Sequence, residues 1–176
     1  MRRKEAAFTV CLTISVLLSS CATITKGVTL IGSFEKEKYL GKWYEIARYD
    51  FAFEKNLNNT TAEYAIRKDG KIDVLNRGFN FITKKWSDAK GKARFKGEDT
   101  KAELEVSFFG LFYAAYNVIA LDKDYKYALV AGSSLKYLWI LSREKTIPGE
   151  VKDQYLTIAN SLGYETSKLI WVEHDK

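Results

Sequence analysis

Histidine, cysteine, proline and methionine are nearly absent: of 176 residues one is His, two are Cys, one is Pro and one is Met. Each scarcity removes a class of function. The one histidine, His174, stands third from the C-terminal end in a polar tail, where it is expected to be solvated. A Ser-His-Asp set or a histidine-rich metal centre inside a fold therefore has nothing to draw on. No glycine-rich phosphate loop occurs, and the only paired carboxylates, Asp122 and Asp124, share a turn. The chain is expected to be no enzyme and to carry neither metal nor cofactor. No block of one charge exists either: the net +6 is scattered, as in Lys84, Lys85, Lys90, Lys92, Arg94 and Lys96. That pattern reads as a solvated face rather than a nucleic-acid surface, and leaves room for attraction to acidic lipid headgroups.

Long apolar runs are missing as well. Met1 to Lys4 is basic, and Ala6 to Leu18 is mostly apolar but short for a membrane span, which fits an export signal. The signal ends in Leu18-Ser19-Ser20-Cys21, which resembles a bacterial lipoprotein box. The resemblance implies that residues 1–20 are removed and that Cys21 receives S-diacylglycerol and an N-acyl chain such as palmitate. Such processing leaves 156 residues and a net charge of +4, because Arg2, Arg3, Lys4 and Glu5 leave with the signal. Cys11 leaves too, so no internal disulfide can form. Residues 21–38, with Thr23, Thr25, Gly27, Thr29 and Gly32, read as an acylated N-terminus and tether, and 39–176 as one domain.

From Gly41 to Arg143 one phrase repeats: six to ten alternating or apolar residues, then a short turn with Gly, Asp or Asn. Eight strands are predicted, at 42–49, 60–67, 71–80, 86–95, 102–108, 114–121, 127–132 and 137–142. Lys68-Asp69-Gly70 and Asp122-Lys123-Asp124 are strong turn signals, Phe109-Gly110-Leu111-Phe112 a weaker one with an exposed aromatic flavour. No helical period interrupts the series, so an antiparallel up-and-down barrel is the economical topology. Alternation puts Ala102, Leu104, Val106 and Phe108 inside, and likewise Ala62, Tyr64 and Ile66. Strand 114–121 is apolar on both parities, so its outer face needs a cover. Val151, Tyr155, Ile158 and Leu162 supply one as an amphipathic helix, with Pro148 suited to its first turn and Gly163 to its stop. A short last strand, Lys168 to Glu173, is predicted beside the first or last barrel strand.

Gly41-Lys42-Trp43 on the first strand, Asp122 to Tyr125 after the sixth, Arg143 ending the eighth and the helix that follows together resemble the lipocalin family. The whole mature chain takes part. Lys42 to Tyr49, Tyr116 to Asp122, Tyr137 to Arg143 and Leu169 to Val172 are similar to the bacterial outer-membrane branch, apolipoprotein D being the nearest animal type. The resemblance implies an all-β, eight-stranded up-and-down barrel with one C-terminal α-helix and a short final strand. It also implies a motif of Gly41, Trp43, Asp124, Tyr125 and Arg143, with Trp43 as the floor and Arg143 across it.

If Trp43 points inward, simple pleating brings Glu45, Ala47 and Tyr49 inward too, and the family's parity adds positions on the other strands. The expected ligand-binding set is Glu45, Ala47 and Tyr49 on the first strand; Tyr64, Asn76 and Phe95 on the next three; Val106 and Phe108; Tyr116 and Val118; and Val130, Tyr137 and Trp139. An inward Glu45 needs a partner, which Arg48, Asn76 or a tyrosine hydroxyl could supply. The family implies binding or transport of a fatty acid or lysophospholipid at the outer membrane, with a lipid-anchored domain facing the periplasm and no nucleic-acid partner. Two alternatives stand beside it: an interaction module, with homodimerisation through the Phe108 to Tyr113 rim, and an enzyme acting on a small hydrophobic ligand.

Overall fold

The computed structural model describes Ile31 and residues 33–175. Cys21, the signal and most of the tether lie outside the described residues. A helical turn α1 (Lys36–Tyr39) precedes the strands β1 (Gly41–Arg48), β2 (Leu57–Ile66), β3 (Ile72–Asn80), β4 (Lys85–Phe95), β5 (Glu103–Phe109), β6 (Phe112–Leu121), β7 (Tyr127–Ala131) and β8 (Leu138–Ser142). Helix α2 (Gly149–Ser161) and a two-residue strand β9 (Ile170–Trp171) follow. Each strand from β1 to β8 pairs antiparallel with the next, and β8 returns to β1, so the sheet closes on itself. The fold class is the eight-stranded antiparallel barrel with one strand outside it.

β1 changes partners along its length. Gly41 to Tyr44 pair with β2, whereas Ala47 and Arg48 pair with β9. The split this leaves between β1 and β2 is filled by the C-terminal tail. Val172 N–H donates to the Ile46 carbonyl at 2.9 Å, and Asn59 N–H to the Glu173 carbonyl at 2.8 Å. His174 is consequently not a solvated tail residue: it is half-buried, meets the Tyr44 ring edge-on at 5.4 Å, and its Nε2 lies 2.9 Å from the Glu45 carbonyl oxygen.

Two bulges overturn the pleating rule inside strands. Between Glu45 and Ala47 the β1–β8 register shifts by one, so Glu45 faces Leu141 but Ala47 faces Ile140 and Arg48 faces Trp139. Ile46 and Ala47 both point outward, Tyr49 follows them to pack its ring 6.1 Å from Tyr164, and Arg48 turns inward. Ala47 and Tyr49, expected in the lining, therefore belong to the outer wall. A second shift between Val118 and Ala120 puts Ile119 and Ala120 outside together.

The chain thus builds two apolar clusters rather than one. The inner one runs from Phe34, Tyr39 and Trp43 up through Tyr64, Val74, Ala93, Leu104, Val118 and Val130. The outer one lies between the wall and α2, where Ile46, Ala47, Leu129, Leu138 and Ile140 meet Tyr155 and Ala159. Pro148 precedes the helix as its N-cap, and Gly163 (φ +90°) takes the left-handed turn that ends it. Ile66, expected inside, is half exposed at the strand end. Phe34 and α1, expected in the tether, are part of the barrel floor.

Candidate functional site

The barrel has one closed end. Trp43, fully buried on β1, donates its indole N–H to the Tyr39 carbonyl at 2.8 Å and packs 4.9 Å from the Tyr39 ring. The Arg143 guanidinium lies 3.8 Å over the indole and donates to the carbonyls of Lys42, Lys38, Tyr39, Leu40 and Tyr125 at 2.7 to 3.2 Å. A cation stacked on an aromatic face while bonding the open carbonyls of α1 fastens that helical turn as a plug. Tyr125, left-handed at φ +56° and buried, accepts the Glu35 N–H at 2.7 Å. The carboxylate that organises this turn is Asp122, which accepts from Asp124, Lys126 and Tyr127 N–H groups; Asp124 contributes its backbone only.

Above the floor three hydroxyls converge. Those of Tyr39 and Tyr116 are 2.6 Å apart, and Tyr64 donates to Tyr116 at 2.9 Å. Burial raises all three phenols above the ordinary range, so they stay neutral. Val106, Val118 and Val130 form the apolar wall at this level, with Phe95 lower down, 6.0 Å from Phe34.

Nearer the open end a buried charge cluster crosses from β1 to the β1–β2 loop. Arg48 Nε is 3.0 Å from Glu45 Oε1 and 3.6 Å from Glu54 Oε2, and all three side chains are buried. Arg48 also donates to the Glu54 and Leu57 carbonyls at 2.7 and 3.1 Å, which pins the loop. Glu45 accepts the Thr60 hydroxyl at 3.0 Å, and Glu54 the Trp139 indole N–H at 3.4 Å. One guanidinium thus serves two carboxyls. Desolvation pushes Glu45 well above the carboxylate range, Glu54's charge adds to it, and Arg48 and Thr60 oppose it. Glu54 is pushed up to about 7, by burial against the pull of Arg48. Arg48 Nη1 and Asn76 Oδ1 are buried and make no hydrogen bond.

Aromatic rings frame the mouth. Phe51 stacks on Phe53 and on Tyr137, each at 5.3 Å, and packs 4.8 Å from Trp139. Tyr137 sits at this rim, partly exposed, while Phe108 and Trp139 reach inward against the core. The structure therefore gathers Glu45, Tyr64, Asn76, Phe95, Val106, Phe108, Tyr116, Val118, Val130 and Trp139 in the barrel, sets Tyr137 at the rim, and leaves Ala47 and Tyr49 outside. Sequence reasoning named Arg48 only as a partner for Glu45, and it missed Glu54, Thr60, Tyr39 and Phe51. The Glu45-x-x-Arg48 spacing was the one available signal. Among the described residues no group of three or more His, Cys, Asp or Glu side chains could hold a metal ion. No helix among them is long and apolar enough to cross a membrane.

A sequence profile described as a lipocalin-like domain matches residues 34–174. The chain is 50% identical over 163 residues to the outer membrane lipoprotein Blc of Citrobacter freundii, covering 92% of each. It is 33% identical over 145 residues to mouse apolipoprotein D, covering 78% of this chain and 75% of that one. Among solved structures, insecticyanin of the tobacco hornworm Manduca sexta superimposes with a TM-score of 0.68 at 24% identity, over 85% of each chain. The cockroach allergen Per a 4 reaches the same TM-score at 18% identity, over 88% of this chain and 96% of that one. Those two likenesses speak to the fold.

Proposed function

The chain belongs to the lipocalin family, whose barrels hold small hydrophobic ligands, and from that premise we propose an outer-membrane, lipid-anchored carrier of single-chain lipids, fatty acids or lysophospholipids. The observation that carries this reading is the buried polar cluster of Glu45, Arg48 and Glu54, set inside an otherwise apolar and aromatic barrel above a sealed floor. A purely apolar guest would leave the spare donor of Arg48 and the spare acceptor of Asn76 unmet. A lipid with one acyl chain and a polar head offers both an apolar body and hydrogen-bonding atoms. Two acyl chains would strain the interior of an eight-stranded barrel. The lipoprotein box at Cys21 and the relatives named as outer membrane lipoproteins support anchoring at that membrane, with the domain in the periplasm. A membrane-held position keeps the barrel beside its cargo, since an acylated cysteine with several chains is a stable anchor where one chain is marginal.

The test is a titration of delipidated protein with lysophosphatidylethanolamine while a fluorescent fatty acid is displaced. Saturable one-to-one displacement is expected. Absence of both heat and displacement overturns the reading.

A further inference from the structure

Among the described residues the three most exposed large apolar side chains stand together at one tip. In the β5–β6 hairpin, Phe109 pairs with Phe112 across Gly110-Leu111, and these three large side chains are 79%, 85% and 93% exposed for Phe109, Phe112 and Leu111. Ser107 ties the turn down by donating its hydroxyl to the Gly110 carbonyl at 3.1 Å, so the tip is a structured feature that holds its apolar residues in water.

Beside the tip the wall is incomplete. The β4–β5 ladder runs only from Phe95 and Leu104 to Lys92 and Ser107, although β4 continues to Lys85. A cavity of about 450 Å³ occupies this place, lined by Val74, Gly91 and Phe108 and by the outward-facing Lys90, Lys92 and Asp73. Val74 and Phe108 also pack in the inner cluster, so the innermost lining of this cavity is made by residues of the barrel core. Gly91 is what admits the Phe108 ring: a Cβ there would stand 2.8 Å from it. Phe108 is thus a single ring between a gap in the wall and the interior.

The geometry points to lateral loading from a bilayer: the Phe109, Leu111 and Phe112 tip enters the membrane surface, and an acyl chain passes behind Phe108 through the β4–β5 gap. The occupant of the tip is a lipid bilayer rather than a second copy of the chain for two reasons. Lys84, Lys85, Lys90 and Lys92 are all exposed along the neighbouring edge, and they complement anionic phospholipid headgroups but would repel their own images in a dimer. The thirteen residue steps from Cys21 to Phe34 also span roughly 45 Å when extended, more than a barrel roughly 30 Å tall, so an anchor whose chain enters at the closed end still lets the opposite end meet the membrane.

The proposal rests on the carrier reading for its cargo but not for its docking, and the two are separable. In the mature acylated protein, whose only native cysteine is acylated, Leu111→Cys and Lys123→Cys each carry one nitrobenzoxadiazole label. Lys123 lies in the β6–β7 turn at the closed end. In vesicles of phosphatidylethanolamine with phosphatidylglycerol, the Leu111 label is expected to emit further to the blue and to be quenched several-fold more by acyl-chain nitroxides than the Lys123 label. Equal, water-like emission from both overturns the docking. So does a blue shift that persists in vesicles free of phosphatidylglycerol but vanishes as the total protein concentration is lowered at fixed lipid, because a second copy then covers the tip. A triple variant, Phe109→Ser, Leu111→Ser and Phe112→Ser, is expected to take up fluorescent lysophospholipid from vesicles at least tenfold more slowly, with unchanged uptake from detergent solution. Unchanged vesicle uptake overturns lateral loading. Wild-type protein that takes up nothing even from detergent overturns the carrier reading, while the label depth still decides the docking.

Discussion

At the scale of single residues, the arithmetic of charge around Arg48 governs what the barrel interior tolerates. Glu45 and Glu54 are both held above the carboxylate range, so each binds its proton more tightly folded than unfolded. For such groups the folded state is favoured most at low pH, and the advantage is lost as pH rises past the ordinary 4.5 through about 7. Glu54→Gln keeps an acceptor for Trp139 while removing one titration. Between pH 5 and pH 8, urea denaturation of this variant relative to the native chain is expected to show a relative gain of roughly 1 to 3 kcal/mol at the higher pH. A difference that stays flat across that range contradicts the shifted carboxyls. Arg48→Leu acts in the opposite sense, because it strands both carboxyls and releases the loop held through the Glu54 and Leu57 carbonyls. Its cost is expected to be about 3 to 5 kcal/mol at pH 8 and clearly less at pH 5. Arg143→Lys tests the floor: an ammonium cannot reproduce the fork onto the carbonyls of α1. A loss of roughly 2 kcal/mol is expected, with faster amide exchange at the α1 turn and at Trp43.

The elements show where the chain could be read and where it could not. The strands were legible because alternation such as that of Ala102, Leu104, Val106 and Phe108 records which face meets apolar surroundings, and strand ends fall within a few residues of their turn signals. Helix α2 was legible for the same reason at its own period. What a single strand cannot record is a register shift forced by its neighbour. The bulge after Glu45 depends on how β8 and β9 both claim the same half of β1, so Ala47 and Arg48 exchange sides without any change in their own local pattern. Glu54 and Phe51 escaped for a related reason, lying in a loop whose position is fixed by Arg48 from outside the loop. The β1–β2 split makes its own prediction. Ending the chain after Leu169 removes β9 and the tail that bridges to Asn59, so amides of Ile46 to Arg48 and Asn59 to Thr61 are expected to exchange at least tenfold faster while β5 to β7 stay protected. Uniform loss of protection would mean that the tail holds the whole barrel and not one seam.

For the molecule as a whole, stability and cargo are one equilibrium. The barrel has no disulfide within the described domain, and its last closure joins β1 to β8 across some ninety residues, so its cohesion comes from packing and strand hydrogen bonds. A ligand that enters only the closed barrel stabilises it by mass action, about 2.7 kcal/mol at a hundredfold excess over its dissociation constant. For a domain near 150 residues that is a rise in Tm of roughly 5 to 10 °C. Delipidated protein heated with and without lysophosphatidylethanolamine is expected to show this rise, growing with the logarithm of ligand concentration and not levelling off once the site is full. A phenol-to-phenyl change at Tyr116, which breaks the contacts to both Tyr39 and Tyr64, separates two origins for it. If the hydroxyls serve only the fold, Tyr116→Phe lowers the ligand-free Tm and leaves the ligand-induced rise intact. If they meet the guest, the rise itself shrinks. A rise that appears equally with a two-chain phospholipid contradicts the size argument, because the closed barrel would then be admitting a second acyl chain.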